Sequence, residues 1–326
     1  MRGELRCSAT LAFALLVGWH SALAQPYPAP GRSITIVVGY PAGGGVDVMA
    51  RTLAHELARE LGTTPIVENR PGAGGAVSVQ TVARATPDGY TLFFGSLSEL
   101  AVRQAAMKVP YDLDHDLMPI SLVGVTPIAL VVHNSVPAKT LAEFKAFVKA
   151  SAAGVVYGSP GQGTLMHFAG EALRFKLDLP MKHVAYRGAA PLSNDLAGGH
   201  VPAGVSGLPP LVSLIEAGTV RLIATSSAAR SKLTPDAESF GEAGIDGVDI
   251  ANYVGLAGPK SIPAAVLQKL EAATLAACKS RDLEATFRRN LASVIGSTAA
   301  EYRAFIEQER AQQLQLIRAT KFSISE

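Results

Sequence analysis

The sequence predicts an α/β fold of two similar lobes, each with a mostly parallel sheet flanked by helices. Short apolar strands alternate with segments of helical periodicity, the pattern of βαβ units. A strand, a glycine loop and a helix also occur twice, first as VVGYPAGGGVDVMA and again in mid-chain as VVYGSPGQGTLMHFA. Two copies are too few for a repeat array. We therefore expect two lobes that each direct one helix N-terminus toward a shared cleft.

The first third of the chain has the pattern βαβαβ. SITIVVGY predicts a strand, VDVMARTLAHELARELG a helix that ends at Gly62, and TPIVEN a second strand. RPGAGG then leads into a helix through VSVQTVARAT, and PDGYTLFFGS predicts a turn and a third strand. This alternation favours parallel strand pairing.

The rest of the chain continues the alternation. LVGVTPIALVVHN is a long β-rich run, and TLAEFKAFVKAS predicts a helix capped by Thr140 and Glu143. The second glycine unit is followed by a strand (KHVAYRG), a helix (APLSNDLAGG) and a strand (VRLIATSS). The last third contains VDIANYVGLAGPK and two predicted helices, Ala264–Cys278 and Thr298–Ile317, the second with Glu301 placed for a cap.

The first 24 residues predict a secretory signal peptide. A short basic start precedes an apolar run, and residues 22–24 have the A-x-A form of a cleavage site. The run is shorter than the about 20 apolar residues that a membrane anchor needs. We therefore expect a periplasmic protein cleaved after Ala24, in which Cys278 is the remaining cysteine and no internal disulfide forms.

The composition restricts the class of protein. The 326 residues suffice for two domains, and 48% hydrophobic with 17% charged residues indicates a globular chain. The net charge is +2, with no stripe of Lys and Arg, which argues against nucleic acid as a partner.

The two glycine loops indicate an anion site. A helix N-terminus exposes unpaired N–H groups and a partial positive charge, and glycines let a ligand approach the backbone. Two such termini at one cleft would hold a carboxylate or phosphate without Arg or Lys. The alternative is that the glycines only form tight strand–helix turns.

Three enzyme motifs match the same loops only in part. Gly39, Gly43 and Gly45 match the glycine spacing of short-chain dehydrogenases, with Glu68 placed as a ribose ligand, but the chain has no Tyr-x-x-x-Lys pair. No Gly-Lys-Ser/Thr follows the glycines, which excludes a P-loop. The sequence GSPG around Ser159 lacks the first glycine of a nucleophile elbow.

Two alternatives remain open. A secreted hydrolase would use Ser159 and His167 in the same cleft. A metal site would use His167 and Glu171, which share a helix face, but no third ligand is evident in the sequence. We expect neither a cofactor nor a metal.

Several segments, in order, resemble the Bug family, the solute receptors of tripartite tricarboxylate transporters. These segments are YPAGGGVDVMAR, ENRPGAGG, ATPDGYTL, VPYDLDHDLMPI, VPAKTLAEFKAFV, YGSPGQGTLMH, HVAYRGAAPLSNDLAGG and VGLAGPKSIP. The resemblance implies a two-lobed flytrap fold like that of periplasmic binding proteins, with lobe 1 at 25–125 and 229–326 and lobe 2 at 126–228. It implies a monomeric, non-enzymatic receptor for a small organic carboxylate, which docks on membrane transporter subunits.

The resemblance also implies a set of ligand-binding residues. They lie on the two glycine loops, on the third strand and beside the ligand: Tyr40, Ala42, Gly43 and Asp47; Ser96; Ser159, Gly161, Gly163, Thr164 and His167; Tyr186 and Tyr253.

The chain departs from the family pattern at four positions. Tyr40 stands for Phe, Pro202 for Asp, Tyr253 for Trp, and Glu99 for a neutral residue. Glu99 follows the third strand, where its carboxylate would pair with a ligand ammonium group; the alternative is a solvated surface side chain.

The mature protein is expected to begin at Gln25, because the cleavage pattern ends at Ala24. N-terminal sequencing of the periplasmic fraction measures this directly. Recovery of a membrane-bound species that still begins at Met1 would contradict it.

Overall fold

The computed structural model of the protein describes residues 26–106, 108–245, 248 and 250–319. The predicted signal peptide and its cleavage site lie outside the described residues. No helix within those ranges is long and apolar enough to span a bilayer. The architecture is the predicted two-lobed α/β fold, in which one curled sheet of 11 strands runs through both halves.

The strands are β1 Thr35–Val38, β2 Ile66–Asn69, β3 Thr91–Ser96, β4 Leu117–His133, β5 Val155–Ser159, β6 Met181–Ala185, β7 Ala203–Gly207, β8 Val220–Thr225, β9 Glu238–Ser239, β10 Ala251–Pro259 and β11 Ser293–Val294. The α-helices are α1 Gly45–Leu61, α2 Ala76–Ala83, α3 Arg103–Ala106, α4 Leu113–Asp116, α5 Leu141–Ala150, α6 Leu165–Lys176, α7 Ala189–Ala197, α8 Val212–Glu216, α9 Ala264–Cys278, α10 Arg281–Arg289 and α11 Ala299–Ala319.

Each half of the sheet contains a group of three parallel strands, as the alternation of strands and helices predicts. In the first half, β1 lies between β2 and β3 and is parallel to both. In the second half, β5 lies between β6 and β7 and is parallel to both. The first turns of α1 and α6 therefore follow the carboxyl ends of β1 and β5, the middle strand of each parallel group.

A single long strand, β4, belongs to both halves. Its first part pairs antiparallel with β10 and β11, and its last part pairs antiparallel with β7 and β8. The change of partner falls between Thr126, which pairs with Asn252, and Ile128, which pairs with Gly207. The sequence predicts this strand but not its passage between halves, because pairing partners are not visible in a hydropathy pattern.

Each half has apolar clusters on both faces of its sheet. In the first half, Leu53 of α1 and Leu256 of β10 belong to one cluster, and Tyr302 of α11 belongs to the other. In the second half, the larger cluster contains Tyr157 and the smaller contains Leu192. The free cysteine, Cys278, lies at the edge of the first of these clusters.

The segment after β8 packs with the second half of the sheet. Strand β9 pairs parallel with β8. Phe240, Ile245 and Ile250 are buried in the same cluster as Tyr157. The described residues of this segment thus belong to the second half.

Side-chain caps occur where the sequence predicts them. Thr140 Oγ1 accepts a hydrogen bond from the Glu143 backbone N–H at 3.2 Å at the start of α5. Before α11, Glu301 accepts from the Thr298 N–H at 2.8 Å while Thr298 Oγ1 accepts from the Glu301 N–H at 3.2 Å. This reciprocal pair is a capping box, which explains why the start of α11 could be placed from sequence.

Candidate ligand-binding site

The first glycine loop, residues 39–44, connects β1 to α1 and is closed by Asp47. The Asp47 carboxylate accepts hydrogen bonds from the Gly43 N–H at 2.9 Å, from Arg51 Nε at 3.0 Å and from Asn69 Nδ2 at 2.8 Å. Asn69 Nδ2 also donates to the Tyr40 carbonyl at 3.0 Å. Burial alone would raise the Asp47 pKa, but these hydrogen bonds lower it below its usual value. Asp47, in the first turn of α1, is therefore ionised and stabilises the loop through these hydrogen bonds.

The second glycine loop, residues 160–164, connects β5 to α6 in the same way. The Gly163 N–H donates to Nδ1 of His167 at 3.1 Å. Thr164 caps α6 by accepting from the His167 N–H at 3.3 Å, and its hydroxyl donates to the Gly161 carbonyl at 2.8 Å. The sequence repeat is thus a structural repeat: in both loops a glycine with positive φ donates its N–H to the side chain four residues later.

Asp47 and His167, the side chains that accept a hydrogen bond from a loop glycine, differ in charge. His167 stacks on His183 with ring centroids 3.7 Å apart. Burial lowers the pKa of His167 to about 3 and that of His183 to about 4, so both rings are neutral near pH 7. The second loop thus lacks the negative charge that Asp47 places at the N-terminus of α1.

Ser159 lies beneath the second loop and is fully buried. Its hydroxyl lies 2.7 Å from Nε2 of His183 and 3.2 Å from the Gly161 carbonyl, which it can reach as a donor. His183, on β6, was not among the predicted site residues, because its contact with Ser159 joins two separate strands. Glu171, the other proposed metal ligand, accepts instead from Tyr157 at 2.7 Å and Arg174 at 2.8 Å. No group of three metal-binding side chains occurs in the described part of the chain.

Two cavities lie between the halves of the molecule and share Tyr40, Pro41 and Pro160. The inner cavity has a volume of about 40 Å³, and its polar side chains are Thr126, Ser206 and Asn252, with Tyr40. The outer cleft has a volume of about 650 Å³ and is lined by residues 39–41, 71–75, 103, 160–162 and 185–188. Ser206 Oγ and Asn252 Oδ1 are buried without a hydrogen-bond partner among the described residues.

The remaining predicted residues have different surroundings. Ala42 and Gly43 are exposed at the tip of the first loop, and Ser96 is buried at the end of β3. Tyr186 lines the outer cleft, and its hydroxyl donates to Asp195 at 2.7 Å. The ring of Tyr253 packs edge-on against Phe305 at 4.6 Å, while its neighbour Asn252 lines the inner cavity.

Glu99 is fully buried, so its interpretation as a solvated surface side chain is wrong. One carboxyl oxygen accepts from the Ser96 N–H at 2.7 Å, and the other has no partner among the described residues. Glycine is required at Gly39 and Gly75 because a Cβ at either position would collide with that second oxygen. Burial raises the Glu99 pKa to about 8, so the group is mostly neutral at pH 7.

Comparison with known proteins shows consistent similarity. A family model described as "Tripartite tricarboxylate transporter family receptor" matches residues 49–322. Protein BugT of Bordetella pertussis is 31% identical over 299 residues, which is 91% of each chain. Among solved structures, a Rhodopseudomonas palustris protein with adipate aligns with a TM-score of 0.85 at 26% identity, covering 90% of this chain and 99% of the other. MatC of R. palustris with bound malate aligns with a TM-score of 0.83 at 27% identity, covering 88% and 99%.

Replacing Glu99 by Gln should remove a pH dependence of stability. Because the native pKa of about 8 exceeds the unfolded value of 4.5, the native state holds one proton more between these pH values, and its stability falls as pH rises. Between pH 5.5 and 7 the Glu99 contribution to this slope should be about 1.4 kcal/mol per pH unit in the wild type. The free energy of unfolding, measured with urea at each pH, should depend less on pH in Glu99→Gln than in the wild type. The exposed control Glu60→Gln should have the same pH dependence as the wild type. Parallel profiles for all three proteins would contradict the assignment.

The histidine stack should make the protein sensitive to acid. Both native pKa values lie below 6.5, the ordinary value of histidine in the unfolded chain. The contribution of the neutral pair to the free energy of unfolding is therefore complete above pH 6.5 and is lost as the pH falls toward 4. Unfolding near pH 4.5 should take up about two protons through this pair, and about one in His183→Gln. The difference between the two proteins, measured by urea unfolding between pH 4.5 and 6.5, tests this. The exposed His200→Gln serves as the control, and equal slopes for His183→Gln and wild type would refute the idea.

Proposed function

This chain belongs to the tripartite tricarboxylate transporter receptor family, and on that premise we propose how its two glycine loops bind a ligand. The protein is a solute-binding receptor for a small organic carboxylate and works with a tripartite transporter. We propose that the carboxylate binds where the inner cavity and the outer cleft meet, beside Tyr40, Pro41 and Pro160. The lining of the inner cavity supports this proposal, because it includes Gly44 and Gly45 at the start of α1 and Met166 in the first turn of α6.

The N-termini of α1 and α6 contribute unequally to the proposed binding of the ligand carboxylate. The ionised Asp47 already faces the N-terminus of α1, and it balances part of that helix's positive field. At α6 the equivalent residue is the neutral His167, so the field there is available to a ligand anion. The ligand carboxylate should therefore be held mainly by the second loop, with the first loop closing over it.

We propose that the lobes rotate about the point where the chain passes between them, in the middle of β4 and at the start of β10. The partners of β4 change at Thr126–Ile128, next to Asn252. The sequence places lobe 2 at 126–228, but Phe240 and Ile245 pack in its core, so we extend lobe 2 to residue 250. Lobe 1 then comprises the segments on either side, and ligand binding would favour the closed arrangement.

Binding without chemistry is the activity we propose. Ser159 is fully buried, and among the described residues no carboxylate is hydrogen-bonded to its partner His183. A histidine whose pKa is lowered to about 4 and that has no carboxylate partner is a weak base, and a fully buried hydroxyl cannot reach a substrate. We further propose a monomeric protein, exported to the periplasm and cleaved after Ala24.

The variant Gly161→Val tests the site. Gly161 has no positive φ, and a Cβ there would meet Thr164 Cγ2 at 3.3 Å and then project toward Gly74 across the outer cleft. The isopropyl group should weaken carboxylate binding at least tenfold, about 1.4 kcal/mol, while the fold is retained. Calorimetric titration with malate and with adipate measures the affinity.

The matched control is Gly198→Val, at a glycine that lines neither cavity. Recovery of each acid unchanged after incubation would support a receptor. Wild-type affinity in Gly161→Val would place the ligand elsewhere, and conversion of an acid or its ester would favour the hydrolase.

A further inference from the structure

Arg103 is a buried cation at the wall of the outer cleft. It begins α3, directly after the π-helical turn Ser98–Val102, and only 7% of the residue is exposed. Its Nη1 donates to the Gln162 carbonyl at 2.6 Å, which joins the first half of the molecule to the second glycine loop. A Cβ at Gly74 would collide with Nη1, so the neighbouring loop leaves room for the guanidinium.

The guanidinium lacks a counter-ion in the described part of the chain. No carboxylate oxygen there lies within 4.0 Å of it, and its Nε has no hydrogen-bond acceptor. Glu99 lies four residues earlier, but its burial keeps it mostly neutral at pH 7. Buried charges in proteins are normally paired, and an unpaired one carries a desolvation penalty. The carbonyl of Gln162 supplies a dipole, not a charge.

The outer cleft is otherwise suited to a negative group. Its charged lining residues are Arg103 and Arg187, with no Asp or Glu among them. Its volume of about 650 Å³ exceeds what one carboxylate group occupies. Arg187 is exposed at the rim, so the buried Arg103 is the group whose charge a ligand would neutralise.

We propose that Arg103 binds a second anionic group of the ligand, which makes this receptor selective for dicarboxylates over monocarboxylates of equal length. The inference rests on the proposed function, in which the first carboxylate is held at the second glycine loop. The guanidinium reaches the second carboxylate while its Nη1 remains bonded to Gln162. Ligand charge and lobe closure are thereby connected through one side chain.

The test uses acids matched in carbon number: succinate with butyrate, glutarate with pentanoate, and adipate with hexanoate. The wild type should bind at least one diacid about tenfold or more tightly than its monoacid partner. Arg103→Gln should remove that preference by weakening the diacid, with less than about threefold change for the monoacid. Arg84→Gln, an exposed residue that lines neither cavity, matches the change in net charge and should bind like wild type.

The outcomes separate the possibilities. If Arg103 served only as a link to Gln162, its replacement would weaken both members of each pair equally, and the inference would be wrong. Equal binding of both members by the wild type would also overturn it, without need of a folded variant, and would leave the proposed function intact. Binding of no acid by the wild type would overturn the proposed function and this inference together. Thermal unfolding of each variant confirms that a folded protein is being compared.

Discussion

The continuity of β4 is the constraint on which the site depends. Because one strand of 17 residues pairs with β10 in one half and with β7 and β8 in the other, both parallel groups of strands are fixed in one sheet. The carboxyl ends of β1 and β5 then meet across the change of partner at Thr126–Ile128. For this reason residues of both glycine loops line the same two cavities.

The two loops have the same backbone hydrogen bond but differ in the charge of the side chain that accepts it. Each uses a glycine N–H bonded to the side chain four residues later, which holds the loop in shape before a ligand arrives. At Asp47 that side chain is an ion balanced by Arg51, and at His167 it is a neutral ring in a stack. Two similar backbones therefore carry a negative charge at the first loop only, and the proposed binding of the ligand carboxylate at the second loop rests on this difference.

Much of this could be predicted from sequence, and the rest depends on contacts distant in the chain. Most of the strands, the long helices and both caps follow from local patterns, since apolar periodicity and Thr–Glu spacing are local signals. Strand β7 was not predicted, because AGVSG is too small and polar to resemble a strand. The partners His183 and Arg103 were missed because each acquires its role from a residue on another element, Ser159 and Gln162 respectively. Glu99 was noticed but wrongly given the option of solvation, because depth below a surface cannot be read from one position.

The strand that passes between the lobes also limits how the molecule can move. An extended strand is already near its maximum length per residue, so β4 can bend or twist but cannot lengthen. In the proposed rotation of the lobes about β4, their separation at the pivot would stay constant, and a longer ligand would be enclosed at a wider angle. A membrane partner that contacts both lobes would then meet a different arrangement of the two surfaces for each ligand length.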